Sequence, residues 1–240
     1  MYQFVLFGLS HWLGLIATLA LAYFGIIIVK KFPAKLVIIK RATGLVLLSM
    51  FIFYQIYIIF MTKEWSLSGN LPIHITNFIL FFLGLNLIFE KQIFFDLSFF
   101  WGISGGLLSV LFPDIRSDFP DIYYIFHWVS HAPMIFAVVL GFYPSKLKIN
   151  FTSLLRSIAF GAVYIAIIYP LNVLLNSNYG YLLRSPEEAL GLVNSVAGGS
   201  YSVFIGLVFL CLIVLMSIEY GVYRFFKINS SKFILKEISK

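Results

Sequence analysis

The chain has 240 residues, 61% of them hydrophobic, 19% aromatic and only 11% charged, with a mean hydropathy of +0.97. So few charges cannot cover a soluble surface. The apolar residues fall in continuous runs of roughly 20, which suits membrane helices and not the alternation of a β-barrel. The net charge of +7 is placed as membrane topology requires, so no nucleic-acid partner is expected.

The composition predicts an all-α integral membrane protein, a single polytopic domain over 1–240 with a basic tail at 224–240. Seven transmembrane helices are expected at about 8–29, 44–62, 71–89, 95–113, 121–143, 153–175 and 200–223. The amino end lacks the basic start and small-residue cleavage site of a signal peptide, so the first run is expected to be retained. Lys30, Lys31, Lys35, Lys40, Arg41, Lys91, Lys146, Lys148, Arg156, Arg224, Lys227, Lys232, Lys236 and Lys240 fall on one side. They are 14 of the 17 basic residues, leaving Lys63, Arg116 and Arg184 opposite. The positive-inside rule then puts the N-terminus outside and the C-terminus in the cytoplasm of a multi-pass cell-membrane protein. Asp114, Asp118, Asp121, Glu187 and Glu188 belong to the outer loops, and the loop from Asn176 to Ser200 could form a lid or re-entrant segment. The single cysteine, Cys211, leaves neither a disulfide nor a thiolate metal cluster.

Taken in chain order, His11 suits an interfacial, snorkelling role, and Gln55 a hydrogen bond to a neighbouring helix. The third span opens Leu71-Pro72-Ile73-His74-Ile75-Thr76-Asn77, with Pro72 suited to a first helical turn and His74 and Asn77 on one face. Thr76 points elsewhere, and on its own would bond back to its helix. Gly102 and Gly106 form a small-residue face for close helix packing. In the fifth span, His127 and His131 are four apart and share a face beside Ser130, with Pro133 expected to kink the helix there. Pro170 and Asn172 close the sixth span, Asn178 follows in the loop, and Glu219 is expected to snorkel or pair with Arg224.

On this topology the polar residues gather in the outer half, with His131 about 16 Å below Pro120, and the inner half is nearly bare. A cavity with apolar walls, suited to an acyl chain, is expected there. Intramembrane histidines are costly and mark a functional site. Two mechanisms suit them. Thr76 could act as a nucleophile with His131 as base and amide or hydroxyl donors for the oxyanion, a scheme without cofactor. Alternatively His74, His127 and His131 could hold a metal that activates water. A receptor or transporter is the non-enzymatic alternative, although the last span has no lysine for a retinal Schiff base.

Four segments carry a family resemblance. They are Leu71–Asn77; Phe99-Phe-Trp-Gly-Ile-Ser-Gly-Gly-Leu-Leu-Ser-Val-Leu-Phe-Pro-Asp114; Ser130-His131; and Leu171-Asn172 through Asn178-Tyr179 to Leu183-Arg184-Ser-Pro186. In order and spacing they resemble the YwaF-type bacterial membrane proteins, relatives of the transmembrane protein 164 acyltransferases. The resemblance implies acyl transfer on phospholipids or lysolipids, with a nucleophile at Thr76 and a histidine at His131. The family usually has cysteine where this chain has Thr76, whereas the related androgen-induced membrane hydrolases pair threonine with histidine. The expected function is therefore a lipid acyltransferase or ester hydrolase. His74, Asn77, His127, Ser130, Asn172 and Asn178 are its supporting residues.

Overall fold

The computed structural model describes residues 3–62, 65–115, 117–142, 147–184 and 195–238, with the backbone alone at 51, 61–62 and 228–238. Among these residues the fold is helical, with one isolated bridge between Gln3 and Ser117. The helices are α1 (Leu9–Lys31), α2 (Leu36–Tyr57), α3 (Ile75–Phe89), α4 (Gln92–Leu111), α5 (Ile122–Phe142), α6 (Phe151–Leu175) and α7 (Tyr201–Ile238). Each matches one predicted apolar run. Six are long and apolar enough to cross a membrane, and α3 is a shorter apolar helix of 15 residues. The residues Lys63, Arg116, Tyr143, Lys146, Pro186, Glu187, Glu188 and Lys240 lie outside the described residues. So do the side chains of Lys232 and Lys236, and the 185–194 part of the proposed lid.

The shortness of α3 corrects the expected third span. Its helix begins at Ile75, with His74 as an extended N-cap, so Pro72 lies outside the helix and His74 and Asn77 do not share a helical face. Pro72 disfavours helix at the residue before it. The extended backbone survives in a membrane bundle because other elements satisfy it: Leu71 N–H donates to the Tyr179 hydroxyl at 2.9 Å, and the Tyr164 hydroxyl donates to the Ile73 carbonyl at 3.0 Å. At the other end of the bundle α2 begins earlier than expected, at Leu36. Lys40 there is buried and paired with Glu90 at 2.6 Å, which brings a charge inside the helix.

Glycines set the close approaches. A Cβ on Gly14 would stand 2.3 Å from the Trp128 ring, which brings α1 against α5. Gly44 would meet the Gly84 carbonyl at 2.7 Å, where α2 crosses α3. Gly102 and Gly106 would meet Val138 and Ile135 of α5, so the small-residue face of α4 packs a helix as expected. The core between them is aliphatic and aromatic, with Ile79, Leu83, Phe100, Met134 and Leu140 inaccessible.

The half expected to be bare of polar groups is not. Asp96 is fully buried, accepts from Arg156 at 2.9 Å and also from Gln92. Gln92 in turn donates to the Lys148 carbonyl at 2.9 Å, and Ser157 donates to the Asp96 carbonyl at 3.2 Å. Glu219 does not pair with Arg224. It accepts from Ser104 of α4 at 2.6 Å, because its helix face is turned to the bundle and not to the interface.

His11 is likewise not a snorkelling side chain. It is wholly buried, its Nδ1 accepting from Phe7 N–H at 2.8 Å and its Nε2 standing 2.9 Å from the Val110 carbonyl. Since Nδ1 accepts, Nε2 carries the proton and donates, which staples the start of α1 to the end of α4.

Candidate active site

A cavity of about 910 Å³ lies between α2, α3 and α5 and is bordered above by the segment after α4 and by Tyr181. Its walls are apolar over most of their extent, from α2 (Val46, Met50, Phe53) and Leu80 to Phe126 and Val129. Into it face His74, Thr76, Asn77, His127, Ser130 and His131, six of the eight residues expected to form the site.

The register of the helices sets residues 55 positions apart at a similar depth. α3 and α5 run parallel. The Cβ of an alanine at Gly141 would stand 2.7 Å from the Asn86 amide, and Leu83 and Val138 both reach the position of Gly102. Both pairs have the offset that separates Thr76 from His131, so the two lie at one level on the cavity wall.

His131 is held by its own helix. Its Nδ1 is 2.8 Å from the His127 carbonyl and 2.9 Å from Ser130 Oγ. A carbonyl only accepts, so Nδ1 carries the proton and Nε2 keeps the lone pair. The Ser130 hydroxyl donates to the same carbonyl at 3.0 Å, leaving its oxygen to accept from Nδ1–H. The rings of His127 and His131 stack at 4.2 Å, which confirms the shared face read from their spacing. α5 continues through Pro133.

Thr76 lacks the bond back to its own helix that many hydroxyls in the bundle make. Thr18, Ser49, Ser109, Ser130 and Ser217 each donate to a carbonyl three or four residues back. Thr76 cannot, because it is the second residue of α3 and the chain before it is extended. Among the described residues its hydroxyl has no hydrogen-bond partner, and it lines the cavity. Position in the helix, more than residue type, frees it. The first N–H with a partner in this turn is Asn77, which donates to the His74 carbonyl at 3.0 Å.

His74 sits at the mouth, its Nδ1 accepting from Gly180 N–H at 3.3 Å and its ring against Tyr179 and Tyr181. Gly180 has φ +66°, and a Cβ there would stand 2.5 Å from the Tyr164 hydroxyl, so only glycine fits. Tyr181 joins the mouth through its hydroxyl to Asp114, and the Tyr201 hydroxyl holds its carbonyl.

Asn172 and Asn178 are not in the cavity wall. Asn172 is fully buried and folds the loop after α6: Oδ1 accepts from Ser177 Oγ and Tyr179 N–H, and Nδ2 donates to the Tyr179 carbonyl. Asn178 does the same one turn on, binding Leu183 and Arg184 backbone. Among the described residues Gln55 bonds to no neighbouring long helix and accepts from Trp65 at 3.2 Å. The metal alternative also fails geometrically. Among the described residues no three His, Cys, Asp or Glu side chains could hold a metal ion, since His127 and His131 stack and His74 turns to Gly180. Sequence reasoning missed Tyr164, Tyr179 and Tyr181, whose hydroxyls bind backbone or carboxylate more than 60 positions away.

No curated protein and no solved structure matches the chain. One family model does, over residues 6–220, which includes every helix named here up to the start of the tail and the whole cavity wall. This multi-pass membrane protein therefore belongs to the TMEM164 family.

Proposed function

We propose that the chain is a membrane-embedded lipid acyltransferase or ester hydrolase in which Thr76 is the nucleophile and His131 the general base. The observation that carries this reading is the free hydroxyl of Thr76, level with a histidine whose lone-pair nitrogen is fixed by its own backbone. The His127 carbonyl does for His131 what a carboxylate does in a serine triad: it selects the tautomer and holds the ring.

Thr76 Oγ attacks the ester carbonyl as its proton passes to His131 Nε2. The carbonyl oxygen becomes an oxyanion, for which the free first-turn amides of α3 and the Asn77 side chain are donors within the same wall. Collapse breaks the ester bond, and His131 returns the proton to the leaving alcohol, here a lysolipid. The hydroxyl of a second lysolipid, or water, then attacks the acyl-threonine. His131 takes its proton and gives it back to Thr76. Transfer and hydrolysis differ only in that second acceptor.

The substrates on this reading are membrane phospholipids and lysolipids, met in the cell membrane from the outer leaflet that the positive-inside rule assigns to the cavity end. The test is lipid mass spectrometry on purified protein with mixed phospholipids and lysolipids, beside Thr76→Ala and His131→Ala. Acyl exchange or release that is lost in both variants is expected. Equal turnover in parent and variants would remove the Thr76–His131 mechanism.

A further inference from the structure

The cavity wall contains a contradiction that an enclosed pocket would not. Val46, Ile52, Phe53 and Val129 line it, yet they are 50%, 59%, 61% and 46% exposed. All four are apolar, and all lie well within α2 or α5, where a membrane helix is surrounded by hydrocarbon and not by water.

Their level can be read from the helix crossings. α2 and α3 run antiparallel through Gly44 and Gly84, and eight positions along each from that crossing lie Ile52 and Thr76. Val129 is two residues from His131, about 3 Å along the axis. Ile52, Phe53 and Val129 are therefore at the depth of the proposed reacting pair, with Val46 nearer the crossing. Above this level α2 and α5 are bridged by aromatic rings: Phe126 meets Tyr54 at 5.6 Å and Tyr57 at 5.0 Å, both edge to face. The two helices thus make a lintel over an opening.

From this geometry we infer that the site opens sideways between α2 and α5, and that the acyl chain of a bilayer lipid enters through this portal without leaving the hydrocarbon. The inference rests on the acyl-ester reading for the identity of its occupant. It adds the route and a consequence for substrate choice. A chain that slides in laterally keeps its apolar surface buried throughout, whereas one drawn through the polar mouth past His74, Asp114 and Tyr181 would be exposed to it. The portal thus favours esters already anchored in the membrane.

The test is photolabelling of the protein in phosphatidylcholine vesicles containing a phosphatidylcholine with a diazirine in its acyl chain, mapped by peptide mass spectrometry. Leu210 and Val214 give the reference for ordinary lipid contact, being exposed apolar residues at a comparable distance along α7. Excess labelling of Ile52, Phe53 and Val129 over that reference is expected. The excess should fall to the reference level in Val129→Trp and in Ile52→Trp, each checked for an unchanged melting profile. Labelling of the parent no stronger than at Leu210 and Val214, or an excess that survives a folded tryptophan variant, would overturn the portal. The readout is independent of turnover. Excess labelling without Thr76-dependent chemistry would keep the portal and remove the mechanism, and Thr76-dependent chemistry without excess labelling would do the reverse.

Discussion

The two ends of the bundle differ in what surrounds their polar groups. At the end away from the cavity, Lys40 pairs with Glu90 and Asp96 with Arg156 and Gln92, and the polar atoms left without a partner among the described residues, Asn86 Oδ1, Ser98 Oγ and Glu219 Oε2, are buried with no large cavity beside them. At the cavity end, Thr76 has a hydroxyl without a partner, and His131 has one nitrogen satisfied and one left with its lone pair. Both ends place polar groups in a membrane protein, where each unmatched group is costly. The difference separates architecture from chemistry. Matched groups hold helices together, and groups left unmatched beside a large cavity are available to a ligand.

The comparison would break most sharply at the reacting pair. Thr76→Ala or His131→Ala is expected to lower lipid acyl turnover about 10³-fold or more, with thermal stability close to the parent. A large loss of stability with proportionate loss of activity would place these residues with the architecture instead. Arg156→Ala should do the reverse. It leaves Asp96 buried with one partner fewer, and because the arginine is itself about half exposed (45%) the expected loss is about 2–3 kcal/mol in denaturant unfolding, with turnover per folded molecule retained.

Two smaller effects would sharpen the boundary. Tyr179→Phe removes the hydroxyl that accepts from Leu71 and donates to the Leu67 carbonyl at 2.7 Å, so about 1–2 kcal/mol of stability should go. The extended segment that frees Thr76 depends on it, so kcat should fall as well. Ser130→Ala removes one of two contacts to His131 Nδ1 while the His127 carbonyl remains, and about a fivefold fall in kcat with little change in stability is expected. If Ser130→Ala matched His131→Ala in severity, the serine and not the carbonyl would be the group that sets the ring.

Much of this was legible in the sequence. The seven apolar runs, the shared face of His127 and His131, and the packing face at Gly102 and Gly106 follow from length and periodicity, which depend on local geometry alone. His11 and Glu219 were not legible. Their surroundings are set by helices about a hundred residues away, and a polar residue near a predicted interface looks the same whether it faces headgroups or another helix. Asn172 belongs to the same class, since a buried asparagine that folds a loop and one that lines a cavity have the same spacing from a proline.

The sequence by itself determined that this is a helical membrane protein and which residues are chemically able to act, because hydrophobic run length and side-chain functional groups are properties of the chain. The tertiary structure alone decided which of them line one cavity. The start of α3 is set by tyrosines from α6 and the loop after it, and that late start is what frees the Thr76 hydroxyl. The level of Thr76 against His131 is set by how α3 and α5 pack at Asn86 and Gly141. Register between helices is a property of interlocking surfaces, and no single helix carries it.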